Sequence, residues 1–247
     1  STAIVFDMSS VFLGDNKKMS PFDKNSIYGM YNRTENYQSD CSYISQIKAF
    51  KDNVSIKSCL SYTFSVSNSQ GTSLIKDRPF TAEMTRSIML LKEKPYRPRM
   101  ADYRIGVFFT GREQLGEGAK TTAPVYYANR WDIQPSDTAA YLRGEKVKPT
   151  KQIVFYIDNT FPEKWKPYLR EGVTQWNELF EQIGFKDVVA AKDFPTDVPE
   201  FDPDNIKYSC VRYAPSSIEN AMGPSWVDPR SGEILNASVY LYHNVIK

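Results

Sequence analysis

Apolar and polar positions alternate most clearly over residues 53–67. Val54, Ile56, Leu60, Tyr62, Phe64 and Val66 take the even positions, and Lys57, Ser61, Thr63, Ser65 and Ser67 lie between them. A period of two predicts an antiparallel strand with one wet face. Tyr43–Phe50 is its expected partner, with Lys51-Asp52-Asn53 as the turn. Ala3–Phe6 predicts a short buried strand, and the polar residues 14–40 an irregular loop. Phe80–Lys92 fits either period, but Thr81, Thr85 and Ile88 tilt it to strand. Lys94–Arg99 is broken by prolines and extended. Strands follow at Tyr103–Phe109 and Val125–Ile133, separated by a Gly-rich polar loop at 110–123. Residues 134–150, with Pro135, Gly144 and Pro149, read as a linker.

The period then changes. Gln152–Asp158 carries a continuous apolar run, the mark of a strand covered on both faces. Trp165, Tyr168, Leu169, Gly172, Val173, Trp176, Leu179, Phe180 and Ile183 then recur at three- and four-residue steps. They predict one helix over 161–183 that lies on a sheet. Thr160 and Glu163 suggest a capping box, Pro162 the first turn and Gly184 the stop. Pro167 predicts a kink or a detached first turn. Short strands are expected at Asp187–Ala191, Ile206–Tyr213, Met222–Val227 and Ile234–Tyr242, the last two joined by a tight turn at Asp228–Gly232. The class is α+β: a β-rich half at 1–110, a connector at 111–150, and a unit at 151–247 made of a strand, a long helix and then a mixed sheet.

Composition narrows the function. With 31 basic and 29 acidic residues the net charge is +2, too balanced to predict a nucleic-acid partner. No apolar run approaches the ~18–20 residues that span a bilayer. Cys41, Cys59 and Cys210 form no CxxC; Cys41 and Cys59 are candidates to pair across neighbouring strands, but three small buried side chains are favoured. Gly111, Gly116 and Gly118 lack the spacing of a nucleotide-binding loop. The acidic loop Pro195–Asp204 lacks the Gly and terminal Glu of a calcium loop, so a solvated loop is favoured. Trp165 and Trp176 read as core at helical spacing rather than as ligand contacts.

His243 is the only histidine and stands four residues before the end. One imidazole cannot make a triad of metal ligands, and no Cys or carboxylate cluster replaces the other two. No GxSxG elbow accompanies it, so a hydrogen-bonding role is favoured over nucleophilic catalysis. The segment Met222-Gly223-Pro224-Ser225-Trp226 is more informative. Proline inside a strand marks a sheet edge, and an exposed edge can take an extended peptide as an added strand.

Several blocks together resemble a family of large zinc-dependent metallopeptidases of Bacteroidota, metzincin-like in character. They are Pro95–Phe108, Ile153–Asp158, Pro162–Tyr168 with Trp176, Asn177 and Phe180, Asp202–Ser209, Ala221–Leu235 and Tyr242-His243-Asn244. The resemblance covers residues 95–247; the first 90 residues resemble the family's β-rich preceding domain in general pattern only. It implies that 151–247 is the first part of a zincin catalytic domain, in which a strand and a long helix are followed by strands that include an edge above the cleft. The next element in such domains is a helix with HExxH, whose two His hold zinc and whose Glu activates the bound water.

This sequence contains no HExxH, so no zinc ligand and no catalytic Glu can be assigned to it. The resemblance implies zinc in a longer parent and none in these residues. It implies Met222–Trp226 as substrate-side residues, a peptide or protein as substrate, and export from the cytoplasm. The start at Ser1 and the stop within a strand predict a trimmed piece, inactive alone. A sheet without its next helix would expose apolar surface, which predicts a homodimer, domain swapping or docking of the β-rich half. The competing readings are a non-catalytic exported binding module for peptide or glycan, and a structural or inhibitory pro-region.

Overall fold

A computed structural model describes residues 5, 7–16, 19–22, 31–115 and 122–245. The expected strand at Ala3–Phe6 lies outside these residues except for Val5, which is exposed. The chain is β-rich α+β and divides into two compact units, Ser1–Leu90 and Leu91–Lys247. The boundary thus falls after Leu90 rather than at 110, the expected end of the β-rich half.

In the first unit, a short helix α1 (Ser9–Leu13) precedes three long antiparallel strands, β1 (Tyr31–Ala49), β2 (Asn53–Asn68) and β3 (Ser73–Met89), in the order β1-β2-β3. The sheet explains why 31–40, read as loop, is strand: the polar alternation Tyr31–Asp40 pairs residue by residue with Asn68–Ser61 as far as Gln38. A strand with little apolar content is held by its neighbour's ladder, which no local pattern reveals. The odd face of the central strand β2 is wet only in part, with Lys57, Ser61, Thr63, Ser65 and Ser67 half-buried. Asn53, Ser55 and Cys59 are buried along with Ile56, Leu60 and Tyr62, since small side chains are overshadowed from both flanks. Phe12 of α1 is buried with this unit. The guanidinium of Arg86, itself buried, donates to the carbonyls of Phe12 at 2.9 Å and Met19 at 3.2 Å. Burial lowers its pKa from the ordinary value, against the pull of Tyr62 and Tyr37. Cys41 and Cys59 do not pair: Gln38 faces Ser61 and Tyr43 faces Cys59, so residues 39–42 bulge out and Cys41 is left exposed as a free thiol.

The second unit begins with a hairpin of β4 (Phe109–Gln114) and β5 (Ala123–Ala128), followed by a short helix α2 (Thr138–Leu142) capped by the Asp137 carboxylate. Tyr103–Phe109 is not a strand up to Phe109. Arg104 N donates to Asp102 Oδ1 and Ile105 N to Asp102 O, and this local turn wins over the alternating pattern. Nor is 110–123 simply a loop, since 109–114 is β4.

The main sheet follows: β6 (Ile153–Ile157), helices α3 (Lys166–Thr174) and α4 (Trp176–Gln182), then β7 (Val189–Asp193), β8 (Ser209–Ala214), β9 (Ala221–Met222), β10 (Ser225–Val227) and β11 (Ile234–Tyr242). Its order is β10-β11-β8-β6-β7, with β9 also on β11. The β6–β7, β6–β8 and β8–β11 pairs are parallel, and β9 and β10 run antiparallel to β11. Odd-numbered residues of β6, β8 and β11 (Phe155, Ile157, Val211, Tyr213, Val239, Leu241) pack with Trp165, Leu169 and Val173. On β6's other face Tyr156 packs against Phe201 and Tyr208.

The expected single helix is broken. A 3-10 turn at Glu163–Trp165 leads into α3, and Gln175 separates α3 from α4. Pro162 is extended (ψ 133°), so the helix cannot start there, and Pro167 fits in the first turn of α3 because its missing N–H has no partner to lose. Thr160 does not cap: its N–H and hydroxyl both donate to Asp158 Oδ1, at 2.9 and 2.8 Å. At the break, Thr174 Oγ1 donates back to the carbonyls of Arg170 and Glu171, a competition that bends helices. The apolar stripe divides with it: Leu169, Val173 and Phe180 pack inward, while Tyr168, Trp176, Leu179 and Ile183 are exposed.

Candidate functional site

The turn between β10 and β11 builds the sheet edge. Asp228, almost fully buried, accepts from Arg230 N at 2.8 Å and from its guanidinium. The Arg230 side chain holds the Asp228 carboxyl below the usual carboxylate range, with burial opposing and the backbone bond assisting. Ser231 N and Gly232 N donate to Asp228 O, and Asp228 N donates to Glu233 O at 2.8 Å. Gly232 has φ +77° and approaches the chain so closely that a Cβ would lie 2.6 Å from Ala128 O. Lys92 Nζ donates to the buried Glu233 at 2.6 Å, and the Arg230 guanidinium donates to Lys92 O at 2.6 Å, so the turn is fastened at both ends.

From this turn β10 runs back along β11, with Trp226 opposite Asn236 and Ser225 opposite Ala237. Asn236 is buried and donates to the carbonyls of Ile206 and Tyr208, fixing β11 from below. The expected continuous strand Met222–Val227 is interrupted at Gly223-Pro224, leaving two short strands on the same edge of β11. Proline supplies no donor for the ladder, but its carbonyl accepts from Ser238 N at 2.9 Å. Met222, Gly223, Pro224, Ser225 and Trp226 are therefore brought together on the terminal edge of the sheet, and all five are exposed. Tyr242 Oη donates to Met222 Sδ at 3.7 Å.

Beside this edge, on the helix-covered face, is an apolar groove of about 300 Å³. Phe155, Val211, Val239 and Leu241 form its floor, and Tyr168 and Trp176 contribute from the helices. Sequence reasoning missed Tyr168 and Trp176 as groove residues because helical spacing shows which residues share a face, not how far the sheet beneath extends. At the end of β8 and β11, Tyr213 Oη and His243 Nδ1 are 2.5 Å apart, and Trp165 packs on the histidine ring with centroids 5.9 Å apart. His243 thus begins a 3-10 turn after β11 and serves a hydrogen bond, as its isolation suggested.

The site's chemistry is limited by its residues. Cys210 is buried and its thiol is pushed up to about 12, mainly by burial, so it supplies no thiolate nucleophile at neutral pH. Among the described residues no group of three or more His, Cys, Asp or Glu comes together to hold a metal ion. Among the described residues, no helix is long and apolar enough to cross a membrane. The acidic loop is ordered by its own bonds: Asp202 Oδ1 accepts from Asp204 N, and Phe201 packs against Phe194 and Tyr208.

Fold and site together define an α+β protein with an exposed, proline-interrupted sheet edge beside an apolar groove. Residues 1–136, more than half of the chain, match the family model described as a domain of unknown function, DUF5117, and the chain belongs to that family. The match runs past the first unit into the segment before α2. No curated protein and no solved structure matches the chain.

Proposed function

We propose that residues 151–247 are the substrate-presenting part of a zinc-dependent, metzincin-like endopeptidase, in which the edge Met222–Trp226 takes an extended peptide as an added strand. The observation that carries this reading is the exposed terminal edge of β9 and β10. It follows a strand, a helical segment and further strands in the order that the resemblance to Bacteroidota metallopeptidases implies. The groove beside it offers apolar recesses for alternate peptide side chains. In this reading the zinc, which would activate water for peptide hydrolysis, is held by residues other than these 247. This chain contributes scaffold and edge and is inactive alone. Export from the cytoplasm belongs to the same proposal.

The test compares this chain and its parent gene product on casein with added zinc. A parent that carries an HExxH helix after these residues is expected to hydrolyse casein. Its Trp226→Ala variant should raise KM with little change in kcat, because the edge binds substrate without touching the reacting atoms. Stoichiometric zinc or hydrolysis in the isolated chain would refute the assignment of chemistry elsewhere. A parent without the motif would leave the exported peptide- or glycan-binding module as the better reading.

A further inference from the structure

The segment 94–112 combines two properties that are rarely exposed together. Tyr103 is 97% exposed, Phe108 86%, and Ile105 61%, with Met100 and Phe109 also more than half exposed. Free protein surface seldom offers so many large apolar side chains in one short stretch without a partner. The same segment holds five basic residues (Lys94, Arg97, Arg99, Arg104 and Arg112) and a single acidic one, Asp102, in a chain whose net charge is only +2. Asp102 is already engaged by Arg104 through a two-oxygen contact. With that pair neutral, Lys94, Arg97, Arg99 and Arg112 leave the segment net positive, between Glu93 and Glu113 at its flanks.

The segment is also pre-ordered. Ala128 N donates to Arg99 O at 2.9 Å, Ala101 N to Tyr126 O at 2.8 Å, and Asn129 N to Phe108 O at 2.8 Å, so both ends are fastened to β5 and the residue after it. Arg130 anchors the approach: its guanidinium lies 4.5 Å from the Tyr96 ring centroid and donates to Arg97 O at 2.6 Å. The backbone entropy of presenting these side chains is already lost in folding, which favours binding.

We propose that residues 94–112 form a docking surface for an anionic lipid bilayer, with Tyr103, Ile105 and Phe108 entering the interfacial region and the arginines meeting lipid headgroups. Charge complementarity points to an anionic partner. A second copy of this segment would bring like charge against like. A docked peptide needs a recess, whereas the most exposed side chains here stand out from the surface. Nucleic acid would use the aromatics for stacking but has no use for Ile105, Val107 and Met100. A bilayer interface takes aromatic, aliphatic and basic side chains together.

The test is sedimentation of the intact chain with vesicles of phosphatidylcholine and phosphatidylglycerol at 3:1, against phosphatidylcholine alone. Binding is expected to the anionic vesicles and to weaken in high salt. Arg97→Gln with Arg99→Gln should lower the partition coefficient about 25-fold, at about fivefold per charge near the surface. Tyr103→Ser with Phe108→Ser should lower it at least about tenfold, since the apolar area no longer inserts. Both pairs are exposed, and an unchanged circular dichroism melt will verify the fold. Absence of binding to anionic vesicles overturns the proposal, as does binding that neither double variant alters. Phe108-dependent dimerisation in light scattering, or capture of a single-stranded oligonucleotide in place of vesicles, would overturn it by assigning the surface to another occupant.

Discussion

Gly232→Ala tests the turn that builds the candidate edge. At φ +77° a Cβ costs about 1–2 kcal/mol from backbone strain alone. The added atom would also meet Ala128 O at 2.6 Å, so one backbone must retreat by several tenths of an ångström. The bonds at stake are Arg130 N to Gly232 O (2.9 Å) and Ile234 N to Arg130 O (2.7 Å), each worth about 0.5–1.5 kcal/mol. The expected loss is about 2–5 kcal/mol. Gly144→Ala is the control: its φ is +86° but nothing lies within 4 Å of a Cβ, so only the strain of about 1–2 kcal/mol applies. All four tryptophans (Trp131, Trp165, Trp176 and Trp226) lie in the second unit, so urea unfolding followed by tryptophan fluorescence reads that unit and not Ser1–Leu90. If the two variants lose the same stability within about 0.5 kcal/mol, the close approach at Ala128 plays no part and the account of the turn is wrong.

Asp228 gives a pH prediction. Its carboxyl is held low in the folded state, so its contribution is present above the unfolded value of about 3.9 and is lost as pH falls from there through the lower folded value; Asp228→Asn should flatten stability against pH below about pH 4 in acid titrations followed by fluorescence. Thiol counting with a chromogenic disulfide at pH 8 should find one rapidly reacting cysteine, Cys41, and three after denaturation, whereas fast reaction of Cys210 would contradict its burial. Arg86→Ala leaves the carbonyls of Phe12 and Met19 without their donor and should release the segment around α1, seen as faster proteolysis before Tyr31 at a cost of about 2–4 kcal/mol. The apolar groove should bind a hydrophobic dye and support a homodimer, and Leu241→Lys should weaken both; a strict monomer in light scattering with no dye binding would refute that use of the surface.

Elements with a dense local signal were legible in the chain itself. The alternation of Val54 to Val66, the run Ile153–Ile157, the strand Ile234–Tyr242 and the turn Asp228–Gly232 all appear where side-chain pattern and turn chemistry predict them. So does the proline-marked edge at Pro224, because a missing donor is a property of one residue wherever it is placed. Tertiary structure decided what local pattern leaves open. Tyr31–Asp40 became strand because a long neighbour offered it hydrogen bonds, and Asn53, Ser55 and Cys59 became buried because β2 has a strand on each side. The aromatic stripe of 165–183 was visible as a periodicity, but its division into packed Leu169 and exposed Trp176 depended on where Thr174 bent the helix and how much of the sheet lay beneath it. Period and turn residues are encoded within a few positions, whereas burial and edges depend on which distant strand comes to lie alongside.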